Sequence, residues 1–155
     1  MTEYTTEYNA NIILERIIGQ PLQYGYMNQK FGLYDFGFGD YIEIPGWNDK
    51  PRTVCPQTLH VICPFKVIWK NGEHRVDRYY EDTPSETFHI GVQCLVSRCV
   101  KRVALSDKND LWLDFGDYWV VFVTLENGEE SWRFFTPGSS LPHLVVSNSW
   151  LRLDY

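Results

Sequence analysis

The chain has 155 residues, which fits one ordinary domain, and 44% of them are hydrophobic against 22% charged. That is enough apolar material for a core, so an ordered domain is expected. The net charge is -6, and nothing in the sequence resembles the basic patch with which nucleic-acid-binding proteins neutralise phosphates, so no nucleic-acid partner is expected. An acidic surface favours solubility and speeds encounter with a basic partner.

Targeting and membrane-spanning segments are not predicted. Residues 1–11 are mostly polar and lack the basic and apolar regions of a signal peptide. No apolar stretch approaches the roughly 20 residues that a membrane span requires. The four cysteines are too few for a disulfide scaffold in a chain of this length, so reduced thiols and a cytoplasmic location are expected.

The predicted elements are two short helices, each followed by strands. The first helix covers Ile12–Ile18 and ends at Gly19. The second runs from about residue 82 through Leu95. Alternating apolar residues predict strands at residues 22–26, 31–38, 41–44, 59–69 and 75–80, and again at 99–105, 111–115, 118–125, 131–135, 144–146 and 150–153. Residues 45–56, rich in Pro, Gly, Asn and Asp, are expected to form a loop.

A short motif is repeated. Phe38-Gly39-Asp40-Tyr41 recurs as Phe115-Gly116-Asp117-Tyr118, and the alternating residues before each copy also correspond. We therefore predict a single α+β domain, 1–155, with β-rich antiparallel sheets built from two similar helix-plus-strands halves. Repeat one covers about 8–80 and repeat two about 83–155, and the halves would close one core around a pseudo-twofold axis.

No metal, cofactor or catalytic motif is predicted. Cys55, His60 and Cys63 lie near one another, but in a strand His60 and Cys63 would project to opposite faces. The sequence has no Cys-x-x-Cys pair, no Gly-x-Ser-x-Gly elbow and no phosphate-binding glycine loop. A catalytic pair of one cysteine and one histidine remains an alternative, but no sequence pattern indicates a particular pair. Asp40 and Asp117 follow glycine in tight turns, where carboxylates accept backbone hydrogen bonds without any catalytic role.

The aromatic residues suggest candidate contacts. Both faces of the predicted strand at 118–125 are apolar, so most rings are expected in the core. Trp47 lies instead in the polar loop, and Tyr79 lies beside charged residues. An exposed tryptophan among charges is typical of the residues that dominate the energy of protein interfaces. Trp47 and Tyr79 are therefore candidate partner contacts.

Two segments carry a resemblance. Residues 130–137 read Glu-Ser-Trp-Arg-Phe-Phe-Thr-Pro and precede Leu144-Val145-Val146, while residues 59–66 read Leu-His-Val-Ile-Cys-Pro-Phe-Lys. This resembles small uncharacterised bacterial proteins of the immunity-protein-like kind, a two-copy β-rich family with a Trp-Arg motif in its second half, although Phe65 stands where tryptophan is expected. The resemblance implies neutralisation of a toxin and no catalytic residues. Arg133 of the motif is a third candidate contact, since alternation would direct it away from Trp132.

We therefore expect a non-enzymatic, cytoplasmic protein-binding module, with a basic protein such as a toxin domain as its partner. A structural or self-associating domain, such as a homodimer, is the alternative, and a small-molecule binder is the weaker one. An enzyme should show a pocket on which His, Cys or Asp converge, whereas a binding module should show an acidic or aromatic surface.

Overall fold

The computed structural model describes residues 2–70, 75–76 and 92–155, and most of them form β-strands. The α-helix that lies wholly within these ranges is α1, Glu7–Leu14, and residues 92–93 are also helical. The strands are β1 Thr2–Tyr4, β2 Leu22–Asn28, β3 Leu33–Phe38, β4 Ile42–Pro45, β5 Pro51–Val54, β6 Gln57–Val61, β7 Phe65–Trp69, β8 Arg75–Val76, β9 Arg102–Leu105, β10 Leu111–Asp114, β11 Tyr118–Phe122, β12 Glu130–Phe135, β13 His143–Ser147 and β14 Trp150–Asp154.

Helix α1 begins earlier than its apolar residues indicated. The side chain of Thr6 accepts a hydrogen bond from the backbone N–H of Asn9 at 3.2 Å and caps the first turn. Ala10 and Leu14, four residues apart, are fully buried. The helix predicted at 12–18 is therefore wrong in its limits, because the cap at Thr6 was not recognised.

The strands form three antiparallel sheets. The first sheet has the order β1-β14-β13-β12-β6-β3-β2, and the second has the order β8-β7-β11-β10-β9. Strands β4 and β5 form a separate two-stranded hairpin, which we call the arm. The arm lies within the segment predicted as a loop, because a proline occupies one end of each of its strands, Pro45 and Pro51, and obscures the strand pattern.

Within the described residues, the chain crosses between the two large sheets twice. It passes from β6 in the first sheet to β7 in the second, and returns from β11 to β12. The crossing segments bind each other: the N–H groups of Ile62 and Cys63 donate to the Ser131 carbonyl, and the N–H of Val123 donates to the Pro64 carbonyl. One predicted strand, at 59–69, is therefore two strands in different sheets.

The core lies between the inner faces of the two large sheets. Phe36 from the first sheet meets Phe65 and Phe122 from the second, with ring centroids 5.4 and 5.5 Å apart in edge-on arrangements. Trp132 is fully buried, and its indole N–H donates to the Asn109 carbonyl at 3.2 Å. These contacts fix which face of the first sheet points outward.

The prediction of an α+β fold from two helix-plus-strands halves is wrong. The described residues contain one complete α-helix, which is short, and three antiparallel sheets, while most of the predicted second helix lies outside them and only its residues 92–93 are seen to be helical. The repeated motif also has two contexts: residues 38–41 lead from β3 into the arm, whereas residues 115–118 join β10 to β11. Both glycines are left-handed, with φ of 91° at Gly39 and 92° at Gly116. The four-residue identity thus reflects one turn conformation that needs glycine.

Candidate functional site

A groove of about 750 Å³ lies between the arm and the outer face of the first sheet. Its floor is formed by side chains of β2, β3, β6 and β12, and its walls by the arm and by residues 136–139. The alternation of side chains along each strand determines what faces it. Tyr34 and Phe36 of β3 point into the core, so Asp35 between them points outward. Leu59 and Val61 of β6 are buried likewise, which directs His60 outward.

Strand register brings these outward residues into one row. Tyr26 is paired with Asp35, Asp35 with His60, and His60 with Arg133 across four neighbouring strands. Cross-strand partners lie within side-chain contact distance of each other. A phenol, a carboxylate, an imidazole and a guanidinium therefore follow one another across the outer face of the sheet, and the first three of them line the groove.

Asp35 is the central charged group of this row and is only 8% exposed. The hydroxyl of Tyr24 donates to its Oδ1 at 3.1 Å, and the hydroxyl of Tyr26 donates to its Oδ2 at 3.4 Å. His60 Nε2 lies 3.6 Å from Oδ2 and forms an ion pair with it only when the imidazole is protonated. Asp35 thus accepts hydrogen bonds from two uncharged phenols.

The charge of Asp35 affects its neighbours. Burial first, and then the negative charge of Asp35, raise the pKa of Tyr24 and Tyr26 above the usual tyrosine range. The same two causes raise the pKa of Cys55, in the wall of the groove, to about 11. The phenols therefore remain hydrogen-bond donors at neutral pH, and the Cys55 thiol remains protonated and weakly nucleophilic.

The other end of this row is an ion-pair network around Arg133, which adjoins the groove through His143. Its Nη2 donates to Glu130 Oε1 at 2.7 Å and to Asp154 Oδ2 at 3.0 Å, and its Nη1 donates to His143 Nδ1 at 2.9 Å. The His143 ring stacks on Phe135 at 4.7 Å. Arg133 lies on the outer face as alternation predicted, but three neighbours hold its guanidinium in place.

Trp47 lies at the tip of the arm with 90% of its surface exposed. The two residues that follow, Asn48 and Asp49, both have left-handed backbones, with φ of 63° and 60°. Asparagine and aspartate tolerate this conformation better than most residues and so permit the tight turn. Behind the tip, Ile44 rests against Gly138, where a Cβ atom would lie 2.6 Å from Ile44 Cδ1, so the arm packs on the β12–β13 connection.

The other sequence candidates are not brought together. Tyr79 lies outside the described residues. Cys63 is buried in the core while His60 lies on the outer face, and Cys55 borders the groove. Within residues 2–70, 75–76 and 92–155 no group of His, Cys, Asp or Glu is arranged to hold a metal ion. All four cysteines are free thiols.

Sequence reasoning missed the convergence of Asp35, His60, Tyr24 and Tyr26. A signal was present, because Asp35 and His60 interrupt apolar strands, but the register that aligns them joins residues distant in sequence. Along the described part of the chain, no helix has the length and apolar character needed to cross a membrane. Comparisons with protein-family models, curated proteins and solved structures found no match.

Proposed function

We propose that this protein is a non-enzymatic, cytoplasmic protein-binding module that neutralises a toxin domain, and that it binds through the arm and the adjoining groove. The observation that carries the proposal is the position of Trp47. The indole of Trp47 is almost fully exposed at the hairpin tip, so it offers a large apolar surface to water and contributes nothing to the core. Tryptophan is also enriched among the residues that dominate binding energy at protein interfaces.

The packing of the arm supports this role. Ile44 meets Gly138 on the body of the domain, and Tyr41 near the base of the arm lies 6.5 Å from the ring of Tyr24. An arm held at both points presents Trp47 in a defined direction, which lowers the entropy lost on binding. The groove beneath it adds polar groups that could confer specificity.

The groove has the convergence of side chains expected of an enzyme, since it is lined by Asp35, Cys55, His60 and His143. The state of the thiol and of the carboxylate, however, favours recognition over nucleophilic catalysis. The Cys55 thiol, with its pKa raised to about 11, is protonated at neutral pH, and the phenols of Tyr24 and Tyr26 are donors to Asp35. A general base would need a free acceptor directed at a nucleophile. Here the carboxylate accepts from two phenols that remain protonated.

Self-association is the second candidate, and one observation favours it. Tyr4 and Trp150, at one end of the first sheet, are 75% and 64% exposed, and their rings are 5.8 Å apart. Such a pair on an edge strand and its neighbour could join two copies of the chain. This surface is separate from the arm, so the two candidates can be tested with matched variants.

The test compares Trp47→Ala with Trp150→Ala, since each removes one exposed indole. The binding probes are the proteins encoded by genes adjacent to this one, measured by calorimetry and by rescue of bacterial growth. Trp47→Ala should lose about 2 kcal/mol of binding, or roughly 30-fold in Kd, and should fail to rescue growth. Trp150→Ala should bind like the wild type, and both variants should keep its melting temperature because each indole is exposed.

Two results would overturn the proposal. One is that folded wild-type protein binds none of the neighbouring gene products. The other is that Trp47→Ala binds as tightly as the wild type. A dimer in analytical ultracentrifugation that dissociates on Trp150→Ala, together with either result, would establish the self-association candidate instead.

A further inference from the structure

We propose that the groove binds an arginine side chain of the partner, held between the phenol rings of Tyr24, Tyr26 and Tyr41 with Asp35 as its counter-ion. The inference rests on the proposed function, because it names the group that the partner inserts. It concerns a different part of the surface from Trp47 and can therefore fail separately.

The first argument is the unbalanced charge of Asp35. A carboxylate that is 8% exposed has lost most of its hydration, and such groups are normally paired with cations. Asp114 in the second sheet follows this rule, with Lys70 Nζ at 2.6 Å and Arg102 Nε at 3.0 Å. Among the residues that the structure describes, no lysine or arginine forms an ion pair with Asp35, and His60 is the one basic side chain that contacts it, beside the neutral hydroxyls of Tyr24 and Tyr26.

The second argument is the arrangement of rings around this carboxylate. The Tyr24 and Tyr26 rings meet edge to face at 5.5 Å, and Tyr41 adds a third ring 6.5 Å from Tyr24. Tyr26 and Tyr41 are 43% and 53% exposed, so a ligand reaches them from solvent. Aromatic faces attract cations, and a planar guanidinium can stack on a ring while its edge donates to a carboxylate.

The groove also contains a positive charge, which allows the charge of the ligand to be tested. Arg52 projects from the arm and lines the same groove, but it forms no ion pair with Asp35. A cation bound beside Asp35 would be repelled by Arg52, whereas an anion would be attracted to it. The sign of the effect of Arg52 on binding therefore identifies the charge of the ligand.

The probe is N-acetyl-arginine amide, with the citrulline analogue as a neutral control of the same shape. Binding is followed by NMR shifts of the groove residues in the full chain. We expect the arginine probe to bind at least about tenfold more tightly than the citrulline analogue, since ionic hydrogen bonds are about twice as strong as neutral ones. Asp35→Asn should abolish this preference, Arg52→Gln should strengthen binding, and added salt should weaken it.

Tyr26→Ala is a second variant that guards against misfolding of the Asp35 variant, because it keeps the carboxylate and because Tyr26 is 43% exposed, so its loss should lower the melting temperature less than Asp35→Asn does. This substitution should weaken binding of the arginine probe severalfold, because it removes one of the three rings. Equal binding of arginine and citrulline would overturn the inference. So would preferential binding of N-acetyl-glutamate amide that Arg52→Gln abolishes.

The two proposals can be separated. If the arginine probe fails while partner binding still depends on Trp47, only the arginine site is wrong. If the arginine probe binds as described while Trp47→Ala leaves partner binding unchanged, only the role of the arm is wrong.

Discussion

The phenol ring of Tyr24 lies over Gly37 of the neighbouring strand, so closely that a Cβ atom on Gly37 would approach three ring carbons to 2.6 Å. The two residues are cross-strand partners in the β2–β3 hairpin. The missing side chain lets the ring lie flat on the outer face of the first sheet. That position directs the hydroxyl to Asp35 Oδ1 at 3.1 Å.

Gly37→Ala should therefore displace the Tyr24 ring and lengthen its hydrogen bond to Asp35. We expect a loss of about 1–3 kcal/mol in the free energy of unfolding, as for other overpacked sites, measured by urea denaturation. In a Tyr24→Ala background the same substitution should cost much less, because the obstructing ring is gone. An equal cost in both backgrounds would show that the ring is not the reason for the glycine.

The sequence predicts local features of this fold better than its assembly. Most strands lie near their alternating segments, because alternation is a local consequence of one buried face. The prediction of one strand at 59–69 overlooks the crossing at residues 62–64, because apolar residues continue on both sides of it and Pro64 is the local signal that a strand ends there. The predicted two-halves fold is wrong because the two Gly-Asp turns share a backbone conformation but connect different elements.

The candidate site divides in the same way. The exposure of Trp47 follows from local chemistry, since the Asn and Asp beside it permit a tight turn. The groove floor depends on the register of β2, β3, β6 and β12, which pairs residues as distant as Asp35, His60 and Arg133. Periodicity assigns each residue to a face, but only the folded sheets determine the order of strands.

The cysteines should differ in reactivity. Burial is the main cause that raises the pKa of Cys55 to about 11 and that of Cys63 to about 12, and it also raises the pKa of the exposed Cys94. Iodoacetamide at pH 8 should modify Cys94 of the native protein well before Cys55 and Cys63. Alkylation requires a thiol that is accessible to the reagent and that ionises to the thiolate. Peptide mapping by mass spectrometry reports this order. In denaturant all four thiols should react, and a protected pair would reveal a disulfide.

Asp114 should contribute to the pH dependence of stability. Burial alone would raise its pKa, but hydrogen bonds from Lys70, Gly116 N–H and Arg102 outweigh burial and hold the pKa below its ordinary value of 3.8. The resulting stabilisation is complete above that value and is lost as the pH falls through the folded-state pKa. Asp114→Asn should cost about 2–3 kcal/mol at pH 7 and progressively less in acid, measured by urea denaturation at several pH values.

The control for this prediction is Asp117→Asn. Asp117 pairs with Arg98 at 3.1 Å, but its side chain is 71% exposed, so the loss should stay below about 1 kcal/mol. A cost for Asp114→Asn that is no larger than this, or that does not shrink in acid, would contradict the assigned role of the buried carboxylate.

His143 should report on the charge of Arg133. Burial first, and then the nearby guanidinium, lower the pKa of His143 below its ordinary 6.5. Arg133 Nη1 donates to Nδ1, so protonation of that nitrogen would also break a hydrogen bond. Arg133→Gln removes the cation and leaves Glu130 and Asp154, which favour the imidazolium. The pKa of His143 should therefore rise, as measured by NMR titration of its ring.

Arg152→Gln is the matched control. Arg152 also pairs with Asp154, at 3.0 Å, and is as exposed as Arg133, at 26% against 25%, but it has no hydrogen bond to His143. Its removal should shift the His143 pKa much less. Below pH 6.5 the unfolded chain binds a proton at His143 more readily than the folded one, so the wild type loses stability as the pH falls toward the folded-state pKa. This loss should be smaller in Arg133→Gln than in Arg152→Gln, and equal losses would show that the guanidinium of Arg133 does not control the imidazole.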